Sequence, residues 1–127
     1  MGELGERRKG RRVKLPERPG GRIRATLSAR LLDLSTTGAR IEHHNLLRPG
    51  LTCTIELPAT LGALILPARV VRSAIVGTEV SPNGERLLRY ESGVAFGELT
   101  VDQQAALETV LGRLAPGDPL GHGRLVL

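Results

Sequence analysis

The sequence predicts a mainly β protein: a small antiparallel β-barrel with one C-terminal α-helix and a flexible basic N-terminal arm. Several segments alternate apolar and polar residues with a period of two, and short turns separate them. No helical pattern is interleaved between these segments, which argues for an antiparallel barrel or sandwich, and of the two we favour a small barrel. The chain has 127 residues, enough for one domain with one modest core.

The basic charge is concentrated at the start of the chain. Residues 1–24 hold nine Lys/Arg and three Asp/Glu, a net charge of +6, whereas the remaining residues hold nine and ten, a net charge of −1. Because residues 2–21 have little periodicity and include several Pro and Gly residues, we expect the first dozen residues to be extended or disordered without a ligand. The expected organisation is a flexible arm over 1–21, a barrel with its helix over 22–114, and a Gly/Pro-containing tail over 115–127.

Five segments have the pattern of strands with one apolar face. In chain order they are Arg22–Asp33, Ala39–His43, Leu51–Leu57, Leu64–Val80 and Leu87–Phe96. The fourth is unusually long, and we expect bulges near Pro67 and Gly77. The Ser81–Gly84 segment is typical of a hairpin turn, since Asn-Gly suits positive φ values.

One helix is expected after the strands. Thr100 is a good N-cap, and Gln103 stands where a capping box needs it. We expect one apolar stripe that covers an end or face of the barrel, formed by Val101, Ala105, Leu107, Val110, Leu111 and Leu114. Pro116 and Gly117 end the helix. The tail after it is either frayed or packed in an apolar groove, and the sequence does not distinguish these alternatives.

The segment Leu31–Glu42, which reads LLDLSTTGARIE, predicts two strands joined by a tight polar turn. Asp33 and Ser35 are two residues apart, so an extended chain points both side chains to one face. Gly38 indicates either a positive φ or the close approach of a ligand or another backbone. An ordinary β-turn would use the same residue types.

Two pairs of arginines lie upstream, each with four-residue spacing: Arg8 with Arg12, and Arg7 with Arg11. This RxxxR element, the later DxSxxG element at Asp33 and the GVAF segment before a helix resemble the PilZ domain, a bacterial receptor module for cyclic di-GMP. The resemblance covers roughly residues 7–114. It implies a six-stranded split barrel that binds cyclic di-GMP and passes the signal to an effector protein.

The residue types suit that ligand. Arginine reaches two acceptors at once on a phosphate or a guanine edge, and its plane stacks on a base. A carboxylate accepts hydrogen bonds from the donors of guanine. By the resemblance, Arg8 and Arg12 contact phosphate and guanine, and Asp33 accepts from guanine. Ser35 contacts phosphate or orients the turn, while Gly38 leaves room.

Either of two arginine pairs can form the RxxxR motif. Arg8/Arg12 is preferred because Arg12 directly precedes Val13, where the family usually has an apolar residue that starts a strand. The Arg7/Arg11 register stays open. Arg7 then precedes the preferred motif, a position that the family associates with a stacked, intercalated ligand dimer, so two ligand molecules per chain are favoured.

Other function classes find less support. Adjacent His43 and His44 would point to opposite faces of a strand, which disfavours a metal site. Cys53 is expected to be a buried, inert thiol, and no phosphate-binding loop or catalytic pair is visible, so we expect no enzyme. With no apolar run long enough for a membrane span and no signal-peptide core, a cytoplasmic protein is expected. The alternatives are a basic-arm nucleic-acid-binding protein, which leaves Asp33, Ser35 and Gly38 without a role, and a PilZ-like adaptor without ligand, which the two intact motifs disfavour.

Overall fold

Residues 25–127 are described by the computed structural model, and their alternating segments form a closed antiparallel barrel. The strands are β1 (Thr26–Leu34), β2 (Gly38–His43), β3 (Thr52–Glu56), β4 (Ile65–Val80), β5 (Arg86–Phe96) and β6 (His122–Val126), and the helix α1 is Val101–Arg113. Around the barrel the order is β1-β2-β5-β4-β3-β6. The mainly β class, the six-stranded barrel and the single helix are thereby confirmed. No helix in the described part of the chain is long and apolar enough to cross a membrane.

The core fills the barrel with aliphatic side chains. Leucine, isoleucine and valine from all six strands lie inside, and the most deeply buried include Ile41, Ile55, Leu66 and Leu125. Their alternation along each strand is the period-two pattern of the sequence. The outward residues between them are therefore free to form a polar surface.

Helix α1 begins as predicted. The side-chain oxygen of Thr100 accepts from the amide of Gln103 at 3.0 Å, and the Gln103 side chain accepts from the amide of Thr100 at 2.9 Å. The predicted stripe is too wide, however, because Val101 and Ala105 are exposed. At about 100° per residue, Ala105 lies roughly 200° around the helix from the buried Leu107, so it faces solvent.

The tail is neither frayed nor packed in a groove: it supplies the sixth strand, so the barrel extends beyond residue 114 and both expected alternatives are wrong. Strand β6 pairs with β1 on one side and β3 on the other, and Leu125 is fully buried. If residue 123 had a Cβ atom, that atom would lie 2.4 Å from the carbonyl oxygen of Glu56. The close contact between β6 and β3 therefore requires glycine at this position.

Within residues 25–127, bulges occur at three places in the barrel. The one expected near Gly77 is confirmed, since the β4–β5 register shifts between Ile75 and Gly77. The bulge expected at Pro67 is wrong, because Pro67 pairs in continuous register with Thr54. An extended strand accommodates the fixed φ of proline without a shift. The other two bulges lie between Val70 and Arg72 and between Leu31 and Asp33.

Candidate functional site

The bulge in β1 aims Asp33 out of the barrel. Ala29 and Leu31 are buried, so strict alternation would point Asp33 inward as well. Leu32 is the extra residue between the pairs Leu31–Ile41 and Asp33–Arg40, and after it Asp33 is exposed. The bulge thus places a carboxylate on the outer surface beside the β1–β2 turn.

Ser35 organises this turn through its hydroxyl group. The Ser35 Oγ atom accepts from the amides of Thr37 and Gly38, both at 3.2 Å. The Ser35 amide also donates to the Gly38 carbonyl at 2.9 Å. Ser35 was expected either to contact phosphate or to orient the turn, and these contacts directly support the second role.

Gly38 is required by a neighbouring strand. A Cβ atom at this position would lie 2.2 Å from the carbonyl oxygen of Val94 in β5. The φ angle of Gly38 is not among the positive values of the described residues. Of the two reasons proposed for this glycine, the close approach of another backbone is therefore the correct one.

Four outward positions form a row across four adjacent strands. Asp33 in β1 pairs with Arg40 in β2, Arg40 pairs with Gly93 in β5, and Gly93 pairs with Arg72 in β4. These four residues line a shallow open groove of about 350 Å³, together with the turn at Ser35. Since neighbouring strands are about 4.8 Å apart, the row spans roughly 14 Å.

The charges along the groove are unequal. Arg40 donates to Glu91 at 3.1 Å, so its charge is partly balanced. Within residues 25–127, neither Arg72 nor Asp33 has an ion-pair partner. The Asp33 carboxylate accepts only from the amide of Leu34, at 2.9 Å, among these residues. One end of the groove thus offers a hydrogen-bond acceptor, and the other offers a guanidinium.

Gly93 keeps the middle of the groove open. A Cβ atom there would lie 3.4 Å from both Cγ and Nε of Arg72, so the Arg72 side chain runs directly alongside Gly93. A flat surface with a carboxylate at one end and arginines beside it suits a planar group that carries donors and an anion. A purine nucleotide has both features.

The structure thus brings together three of the predicted site residues: Asp33, Ser35 and Gly38. The predicted arginines Arg7, Arg8, Arg11 and Arg12 lie outside the described residues. Sequence reasoning missed Arg40, Arg72 and Gly93 as groove residues. Their signal was outward alternation on β2, β5 and β4, which becomes useful only once the strand order is known.

Other polar side chains form a separate buried cluster. His43 and Ser92 are buried, with His43 Nε2 and Ser92 Oγ 2.7 Å apart, and Ser92 donates to Ser73 at 2.8 Å. The ring of Tyr90 stacks on His43. Because the amide of Asn45 donates to His43 Nδ1 at 3.4 Å, the proton belongs on Nε2 and the chain runs one way from His43 to Ser73. This cluster holds strands together inside the barrel.

Two earlier expectations concern metal and thiol chemistry. His43 and His44 face opposite sides as expected, one buried and the other exposed. No group of three potential metal-ligating side chains occurs within residues 25–127. Burial raises the pKa of the half-buried Cys53 thiol, which disfavours the reactive thiolate.

Comparison with known proteins adds one match. A family model described as the PilZ domain matches residues 6–113, which include both arginine pairs, the Asp33 turn and the Gly93 strand. No curated protein and no solved structure shows a significant match to the chain.

Proposed function

The chain belongs to the PilZ domain family, whose general role is cyclic di-GMP reception, and on that premise we propose that it binds cyclic di-GMP in the groove beside Asp33. The observation that carries the proposal is the row of Asp33, Arg40, Gly93 and Arg72 on the outer face of four strands. Within this row the Asp33 carboxylate accepts from the N1 and N2 donors of guanine. Arg40 and Arg72 face the O6 and N7 acceptors or the phosphates.

The arm supplies the remaining cationic groups. Arg8 and Arg12 contact the phosphates and the second guanine, with Arg7/Arg11 as the other register. Thirteen residue steps separate Arg12 from Ala25, and an extended chain of that length reaches roughly 45 Å. The eight steps of strand from Ala25 to Asp33 cover only roughly 26 Å. The arm is therefore long enough to return along β1 to the groove.

Binding orders the arm over the barrel. The ligand bridges arm arginines to Asp33 and so favours the closed arrangement by its differential affinity for it. Arg7, directly before the preferred motif, favours two stacked ligand molecules per site. The closed arm presents a new surface to an effector protein, and the chain acts as a receptor and adaptor without catalysis.

Titration calorimetry with cyclic di-GMP tests this proposal. Asp33→Asn removes the charge of one acceptor at nearly constant shape, and a charge-assisted hydrogen bond contributes about 1.5 to 3 kcal/mol. We therefore expect the dissociation constant to rise by roughly 10- to 100-fold. Glu85→Gln at the β4–β5 turn, which removes an exposed carboxylate far from the groove, leaves the affinity unchanged.

The arm is tested in the same assay. Arg8→Ala weakens binding, whereas Arg18→Ala, an arm arginine outside both pairs, has little effect. The stoichiometry gives one or two ligand molecules per chain directly. If cyclic di-GMP does not bind while duplex DNA binds with a steep salt dependence, the basic arm is a nucleic-acid-binding element and the proposal is wrong.

A further inference from the structure

Strand β4 extends well beyond β3, the strand that flanks it on one side. Its pairing with β5 continues to Val80, but β3 pairs with it only as far as Arg69. One step further, the amide of Val70 donates to the Leu51 carbonyl at 2.9 Å. From Val71 to Val80, no strand within residues 25–127 lies on this edge.

This free edge exposes several large apolar side chains. Ile75 is 59% exposed and Val80 is 66% exposed, and Val71 and Val76 are also exposed. The ten residues from 71 to 80 contain neither lysine nor proline, the residues that commonly block pairing at sheet edges. An edge of this length is a template for another strand.

The pattern along the edge is self-complementary. The segment carries two charges of opposite sign, Arg72 near its start and Glu79 near its end. Seven residues apart, they would point to opposite faces of a regular strand. The bulge at Val76 adds one residue and so brings Arg72 and Glu79 to the same face. Their partners in β5 show this, because Arg72 pairs with Gly93 and Glu79 with Leu87, which both face outward.

We infer that two copies of this chain associate by antiparallel pairing of their β4 edges, with Ile75 at the twofold axis. With Val76 of each copy left unpaired as the bulged residue, as it is against β5, Arg72 of each copy lies opposite Glu79 of the other, and Ser73 lies opposite Thr78. Arg72 has no ion-pair partner in the described part of the chain, and Glu79 contacts His44 at 3.1 Å through one of its two carboxylate oxygens. The second oxygen of Glu79 accepts the incoming guanidinium.

Sedimentation equilibrium of the full chain without ligand tests the pairing, because Arg72 also lines the groove. The wild type sediments as a dimer. Arg72→Glu and Glu79→Arg each place like charges opposite one another twice per dimer, so each raises the dimer dissociation constant at least tenfold. Arg113→Glu at the end of α1 is the matched control and leaves association unchanged.

Mixing the two variants distinguishes repulsion between like charges in this register from misfolding of the variants. A 1:1 mixture of Arg72→Glu and Glu79→Arg restores both opposite-charge pairs, so heterodimers form at least tenfold more tightly than the homodimers of either variant. A monomeric wild type would overturn the inference, whether the edge is covered by residues 1–24 or used by another protein. So would a dimer that both variants retain, or a mixture that does not associate.

Discussion

Replacing Gly38 with alanine tests the packing that holds the site turn against β5. The added Cβ atom would lie 2.2 Å from the Val94 carbonyl oxygen, a distance that real Cβ atoms essentially never show. The neighbouring strand cannot move away freely, because Gly38 pairs with Ala95, and the amide of Phe96 donates to the Thr37 carbonyl at 2.9 Å. Relief of the clash therefore requires the β2–β5 ladder to separate locally.

The cost follows from that separation. Overpacking typically costs about 1 to 3 kcal/mol, and two weakened ladder hydrogen bonds add about 1 kcal/mol each. Alanine also reduces the conformational freedom of the unfolded chain, which stabilises the folded protein by about 0.4 to 1 kcal/mol. We expect the free energy of unfolding to fall by about 3 kcal/mol, which lowers the melting temperature of a domain of this size by more than roughly 10 °C.

Urea denaturation followed by circular dichroism measures this change. Gly112→Ala is the control, since nothing lies within 4 Å of its added Cβ atom in helix α1. Alanine is the better helix former, so this variant gains up to about 1 kcal/mol. Equal stability of Gly38→Ala and the wild type would show that β5 does not approach Gly38 closely, and the structural reason for this glycine would be lost.

Three further predictions concern the barrel and its helix. Burial lowers the pKa of His43 from 6.5, so the stability that neutral His43 contributes above pH 6.5 is lost as the pH falls towards the lower folded-state pKa. Urea denaturation at several pH values measures this loss. The same pH dependence in His43→Gln would contradict it. Thr100→Ala removes the N-cap and costs about 1 kcal/mol in thermal denaturation, whereas an unchanged melting temperature would contradict the cap. Ending the chain at Gly121 removes β6 with the buried Leu125, so circular dichroism should show an unfolded chain, and a cooperative native-like transition would refute this.

Period-two alternation predicted five of the strands because their inner faces are regular and apolar. It did not find β6, since five residues that include Gly123 leave only a short apolar pattern. The predicted helix stripe is too wide because Ala105, although apolar, is rotated roughly 200° around the helix from the buried Leu107 and faces solvent. The N-cap of the helix, which depends on local hydrogen bonds, was predicted more accurately.

The site was predictable where it follows one continuous segment. Asp33, Ser35 and Gly38 belong to one turn, so local spacing was enough to group them. Arg72 joins them only through strand order, which places β4 two strands away from β2. The bulge at Leu32, which turns Asp33 outward, also depends on pairing with β2 and leaves no signal in the sequence alone.

Nuclear magnetic resonance titration of the full chain with cyclic di-GMP tests the central claim most directly. The account predicts that the largest amide shifts occur in residues 33–40, around Gly93 and in arm residues 7–12, all with the same concentration dependence. Shifts confined to the cavity between β1 and the segment 111–122, or shifts that leave the arm unaffected, would contradict it.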